Sequence, residues 1–161
     1  MLSSLDRTDR RILNILQTDG GISNVELARR VGLAPATTLE RVRKLRQQGY
    51  IVGTVALVDP ARVDKSTVAF VRVSLTRHGA ERVDGFRQAV EKLPQVMECY
   101  HISGDSDFLL KVVANDIGAY ESFLLHEFSE IPHVARIHTS FVLSTVKHST
   151  QVPIDEEDGA E

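Results

Sequence analysis

The chain has 161 residues, 42% of them hydrophobic, one cysteine and a formal charge of −3. That is room for one ordinary domain or two small ones, and it excludes an intrachain disulfide and an all-polar disordered chain. No apolar run approaches membrane-spanning length and no leader-like apolar core stands near the start, so a reducing cytoplasm is the expected setting. The charge is uneven. Residues 1–50 carry nine Lys/Arg against five Asp/Glu, whereas residues 51–161 carry ten against seventeen, which makes the N-terminal part the candidate for a polyanionic partner.

The first segment, LDRTDRRILNILQTDGG, predicts an amphipathic helix with Leu5, Ile12, Leu13, Ile15 and Leu16 on its apolar side and Gly20-Gly21 at its end. Ser23 and Glu26 then form an S-x-x-E capping box, which predicts a second helix from Asn24. Gly32 stops it and Leu33 plugs the corner. Pro35 suits the first turn of a third helix running to about Gln48, with Gly49 as its stop. Three helices in residues 1–50, the last two joined by a tight turn, are the layout of a helix-turn-helix that reads double-stranded DNA. On the third helix Leu39, Val42 and Leu45 are expected inward. At about 100° per residue Thr37, Glu40 and Lys44 then fall on the opposite face, flanked by Thr38, Arg41 and Arg43. Arg41, Arg43, Lys44 and Arg46 can neutralise phosphates. Ala36, Thr37 and Thr38 lie at the helix N-terminus, where threonine can bond a base edge or touch a thymine methyl. Glu40 either accepts from a cytosine amino group or simply pairs with Lys44 at i,i+4. A structural helical hairpin with a solvated basic face is the bland alternative.

Residues Tyr50–Val58 (YIVGTVALV) read as a strand and 51–63 as a strand linker, with a turn at Asp59-Pro60. Next come a strand over Ser66–Leu75, a helix over Glu81–Leu93 and a strand over Val96–Ser103. A turn, Gly104-Asp105-Ser106-Asp107, leads into a strand over Phe108–Ala114. A helix over Ala119–Ser129 and a strand over Val134–Val146 complete the set. The order βαββαβ over 64–153 is the ferredoxin-like unit, so the fold class is α+β: an N-terminal three-helix helix-turn-helix domain plus a C-terminal ferredoxin-like domain. Two helices cover one face of a four-stranded antiparallel sheet. The other face, carrying either Ala69, Val71 and Val73 or Val68 and Phe70, needs a cover, and a second copy of the chain would supply it. Cys99 reads as a packing residue. The acidic segment 154–161 is expected to be a disordered tail.

The run LDRTDRRILNILQTDG, the run ISNVELARRVGL, the P-x-x-x-L-E-R-V pattern from Pro35 to Val42 and the GDSDFLLKV segment from Gly104 to Val112 together resemble the Lrp/AsnC family of transcription regulators, over about residues 3–153. The resemblance implies an N-terminal DNA-binding domain, a C-terminal amino-acid-sensing domain and homodimers that assemble to octamers or related rings. Two departures stand out: Ala34 where many members have a capping serine, and Thr37-Thr38 where a proline-cysteine pair is common. The resemblance also places an effector pocket at the turn Ser103-Gly104-Asp105-Ser106-Asp107, between dimers, near Tyr100, Ile117, Thr139, Ser140 and Phe141. There Asp107 is expected to meet the ligand ammonium or to shape the turn, and free turn N–H groups to meet the carboxylate. Ile117 and Phe141 would form an apolar sleeve, favouring leucine, methionine or another apolar amino acid.

Six histidines have neither H-x-x-x-H spacing nor a cysteine pair beside them, so no metal and no cofactor is expected. No nucleophile–base order suggests an enzyme. A weakly specific nucleoid-organising protein and an amino-acid-binding regulatory subunit of a metabolic enzyme remain as alternatives; the basic third helix argues against the latter.

Overall fold

The computed structural model describes residues 5–76 and 79–156. They fall into two units: the described residues of 1–57 with those of 147–161, and residues 58–146. Among the described residues no helix is long and apolar enough to cross a membrane.

The first unit holds α1 (Arg7–Thr18), α2 (Asn24–Val31) and α3 (Pro35–Gln47). Each start has a local cause. The Asp6 carboxylate caps α1 by accepting the Asp9 N–H at 2.7 Å, and Ser23 Oγ caps α2 by accepting the Glu26 N–H at 3.2 Å. The capping box is only half formed, because the Glu26 carboxylate is taken by Arg29 and Arg30 at 2.7 and 2.9 Å. Those hydrogen bonds hold its pKa down at about 2. Helix α3 has no side-chain cap at Ala34 and starts on Pro35 alone. Gly32 and Gly49, at φ 74° and 79°, end α2 and α3 in the left-handed conformation that glycine adopts without strain. Ile12, Leu13, Leu27, Val42 and Leu45 form the core.

Two expectations fail in this unit. Residues 51–59 form no strand, because a strand needs a paired edge and no described segment of the chain supplies one. Val52, Val55 and Leu57 are left 97, 80 and 70% exposed. The start of the acidic tail is not loose: Ile154 packs on the helical core. The Gln17 side chain bonds both backbone groups of Val152, accepting its N–H at 2.7 Å and donating to its carbonyl at 3.0 Å. Asn14 donates to the Ile154 carbonyl at 3.1 Å and Arg10 to that of Asp155 at 3.2 Å. The rest of the tail, 157–161, lies outside the described residues.

The second unit holds β1 (Thr67–Leu75), α4 (Ala80–Val90), β2 (Val96–His101), β3 (Phe108–Ala114), α5 (Ile117–His126) and β4 (Val134–Phe141). The sheet is antiparallel in the order β2-β3-β1-β4. Alternation decides its faces. Ala69, Val71, Val73 and Leu75 point to the helices with Phe108, Leu110 and Val112, and meet Phe86, Val90, Tyr120, Phe123 and Phe128. The Phe86 and Phe108 rings lie 4.5 Å apart between α4 and the sheet. The open face therefore carries Val68, Phe70 and Arg72, which resolves the alternative left by the sequence. Beside them Lys111 pairs with Glu98 at 3.0 Å, and Tyr100 Oη donates to Glu98 at 2.9 Å. Strand β4 stops at Phe141 rather than Val146, because only Thr67 and Val68 of β1, its pairing edge among the described residues, remain beyond that point; Val142 donates to the Val68 carbonyl at 2.9 Å, and Leu143 is 98% exposed.

Arg41 ties α3 to the start of α1, its Nη1 donating to Asp6 at 2.7 Å and to Asp9 at 2.8 Å. For the Asp6 carboxyl, burial acts upward, but the Asp9 N–H and the Arg41 guanidinium outweigh it and hold the group below its usual range. A carboxyl depressed in the folded state contributes stability above its unfolded pKa, and that contribution is lost as pH falls through the folded value. Arg41→Ala is therefore expected to cost about 1 kcal/mol at neutral pH and to move acid unfolding of the chain to higher pH. Thermal unfolding by circular dichroism between pH 7 and pH 2.5 checks this; parallel pH profiles for parent and variant would contradict it.

Candidate DNA-reading face and effector site

Helix α3 is held against α2 at its first turn, where Asn24 Nδ2 donates to the Pro35 carbonyl at 2.8 Å. Its buried stripe is Thr38, Val42 and Leu45 at 0, 9 and 2% exposure, whereas Leu39 is 49% exposed. This corrects the expected inward set. Leu39 and Leu45 lie about 120° apart on the helix, too far for one narrow groove, while Thr38, Val42 and Leu45 lie within about 60°. Thr38 enters the core at little cost because its Oγ1 donates to the Ala34 carbonyl at 3.1 Å and its methyl packs. Thr38 is thus withdrawn from the DNA-facing residues.

The outward stripe is Ala36, Glu40, Arg43 and Gln47, flanked by Thr37 and Lys44 on one side and Leu39 and Arg46 on the other. Glu40 pairs with Arg43 at 3.0 Å, not with Lys44. Lys44 and Arg46 are exposed, and their side chains bond to nothing among the described residues. Arg41 sits at the margin, two-thirds covered and held by Asp6 and Asp9, so its guanidinium is a link within the unit rather than a free cation.

The nine expected effector residues do not come together in one chain. Register puts Val73 opposite both Phe108 and Ile137, and Ala69 opposite both Val112 and Phe141. The turn 103–107 therefore lies beyond the Phe108 end of the sheet. Phe141, with Ile117 at the start of α5, lies at the other end, about 13 Å or more away. At the turn, Gly104 has φ 116° and open space where a side chain would stand. Asp107 is a shaping residue: its carboxylate accepts the Leu75 N–H at 2.7 Å and its own N–H donates to the Val73 carbonyl at 2.9 Å. Ser103, Gly104 and Asp105 are exposed, and the Gly104 and Asp105 N–H groups have no partner among the described residues. At the far end Thr139 and Tyr120 share a hydrogen bond of 2.5 Å, and the Phe141 ring meets Tyr120 edge-on at 5.1 Å. Ile117 is 64% exposed. Tyr100 and Ser140 lie on the open face instead, opposite Leu109 and Phe70.

A cleft missed by the sequence reading, of about 410 Å³, lies between α4 and β2 and is lined by Arg87, Val90, Met97, Cys99, His101 and Phe108 among others. Strand alternation puts Cys99 and His101 on one face, which is the signal that could have found it. Cys99 is exposed there, not packed; partial burial pushes its thiol up, partly offset by Arg87. Among the described residues no cluster of His, Cys, Asp and Glu could hold a metal ion.

Residues 5–52 match the winged helix-turn-helix DNA-binding family and residues 68–152 the Lrp/AsnC ligand-binding domain. The leucine-responsive regulatory protein of Escherichia coli K12 is 45% identical over 150 residues, 93% of this chain and 92% of the relative. Among solved structures, a transcriptional regulator from Neisseria meningitidis in complex with L-methionine superposes with a TM-score of 0.90 at 36% identity, over 94% of this chain and 98% of that one. A feast or famine regulatory protein from M. tuberculosis complexed with L-methionine does so with 0.84 at 28%, over 94 and 100%. The chain belongs to the Lrp/AsnC family of transcriptional regulators.

Two substitutions test the corrected face of α3. Thr38→Val keeps the buried shape and loses one hydroxyl bond, so DNA affinity is expected to stay within twofold of the parent, with about 1 kcal/mol of stability lost at most. Arg43→Ala is expected to weaken binding, lowering the salt slope by about one if its contact is to phosphate and relaxing specificity at one position if it is to a base. Fluorescence anisotropy on a labelled duplex at several salt concentrations checks both; a Thr38→Val chain that folds but no longer selects its site would restore Thr38 to the reading face.

Proposed function

We propose that this regulator reads double-stranded DNA through Ala36, Thr37, Glu40, Arg43 and Lys44. In this reading its assembly or DNA affinity responds to an apolar amino acid of the leucine or methionine class. The observation that carries the effector reading is the separation of the turn 103–107 from Ile117 and Phe141 along one sheet. A pocket that uses both ends needs two chains. A ligand bound across them favours one assembly state over another, and by linkage the assembly state favours or disfavours the ligand. The L-methionine in the two related structures supports this class of ligand. The chain acts without a catalytic site or cofactor, in the cytoplasm.

The same reading makes the working unit a homodimer that assembles further, to an octamer. Its support is apolar surface left exposed among the described residues: Phe70 on the open sheet face, and Val52, Val55 and Leu57 in a strand-like segment that no described strand pairs with. Sedimentation velocity at micromolar concentration is expected to give a dimer or a multiple of it; a monomer would contradict the proposal.

A mixing experiment tests the shared pocket. Gly104→Val damages the turn, because a β-branched residue is strained at φ 116°. Ile117→Glu damages the exposed sleeve at the other end. Each variant alone is expected to lose L-methionine heat in calorimetry. Co-refolded in equal amounts, they are expected to regain about a quarter of the parental sites, since some interfaces then combine an intact turn with an intact sleeve. No recovery on mixing would mean that the turn and the sleeve must come from the same chain, and would contradict the shared pocket. No binding of L-methionine or L-leucine by the parent would remove this ligand class.

A further inference from the structure

We infer that Leu39 reads a thymine methyl group in the major groove, a specificity role that rests on the DNA-reading face proposed above. Four observations converge on it. The helix had a leucine available for its core at this position and instead buries Thr38, leaving Leu39 49% exposed. The exposed side chain stands three residues after Ala36 and four before Arg43, so the three form one ridge on the outward side of α3. Helix α3 also carries Lys44 and Arg46, whose exposed side chains have no partners among the described residues, so the surface around Leu39 is matched in charge to a phosphate-lined groove. Finally, Arg43 is steadied by Glu40 at 3.0 Å.

The chemistry fits one occupant. The only apolar group in the major groove is the C5-methyl of thymine, and a leucine lacks any donor or acceptor with which to read another base edge. On the same ridge an arginine can reach the O6 and N7 acceptors of guanine. The ridge Leu39–Arg43 therefore suits a thymine and a guanine close together along one groove, with Leu39 setting the preference for the thymine.

The experiment uses the full chain. Preferred duplexes are first selected from a randomised pool with the parent. Each thymine of the preferred site is then replaced singly by deoxyuridine, which removes only the methyl. For the parent, one such replacement is expected to weaken binding about fourfold, the effect of one methyl group leaving an apolar contact. Leu39→Ala is expected to bind less tightly and to lose the response to that replacement, while keeping the parental salt slope. Leu39→Met, which preserves an apolar contact, is expected to keep the response. Because residue 39 is half exposed, folding is expected to survive both changes, and circular dichroism verifies it. The inference is overturned if the Leu39→Ala chain responds to deoxyuridine as the parent does, or if the parent selects a site yet is indifferent to every thymine methyl. A parent that shows no preference in the selection and binds all duplexes alike overturns the DNA-reading face together with it.

Discussion

The burial of one stripe of α3 decides what this protein can offer to DNA. With 3.6 residues per turn, a helix lying on a small core can hide only a narrow band. Here the band is Thr38, Val42 and Leu45, and everything else about the reading face follows from it. Ala36, Glu40 and Arg43 turn outward, Leu39 is lifted to the flank, and Arg41 is brought to the margin, where Asp6 and Asp9 take its guanidinium. A cation on a recognition helix is thus not automatically a phosphate contact. Arg41 links α3 to the capped start of α1, and so helps fix the angle at which the other side chains are presented.

The sheet obeys the same logic with a period of two. Ala69, Val71 and Val73 go under α4 and α5, so Phe70 and Arg72 must face away. Antiparallel register then puts the turn 103–107 and the start of α5 at opposite ends. One consequence is that, in the proposed effector reading, a chain by itself holds two half-sites rather than a pocket. Solved members of the family include methionine complexes; under the proposed shared pocket, assembly and ligand binding would be two aspects of one equilibrium, without any need for a signal carried through the interior of a single domain.

Local chemistry was legible in the sequence. The Ser23 cap, the Gly32 and Gly49 stops, the strand Phe108–Ala114 and the inward aromatics Phe86, Tyr120 and Phe123 follow from capping residues, glycine and periodicity, all set within a few residues of chain. What escaped was decided by distant contacts. Leu39 looked inward because the spacing of Leu39, Val42 and Leu45 is regular, yet a core selects an angular band, and a threonine able to bond its own helix filled it. Residues 51–58 have the composition of a strand but no strand edge to pair with among the described residues. The bonds from Asn14 and Gln17 to residues 152–154 join positions about 140 apart in sequence, and polar residues carry no pattern that announces such partners. For the expected effector residues, membership of one site rests on resemblance, and only the register separates the turn from Phe141 and puts Tyr100 and Ser140 on the open face.

The most direct test of this account is a methyl-resolved NMR titration of the full chain with a selected duplex. The methyl resonances of Ala36, Thr37 and Leu39 are expected to shift on binding while those of Val42 and Leu45, on the inward side of the same helix, stay nearly in place, with Thr38 behaving as the inward set does. Large shifts for Thr38, with Ala36 and Leu39 unmoved, would mean that α3 presents a different face to DNA and would contradict the account at its base.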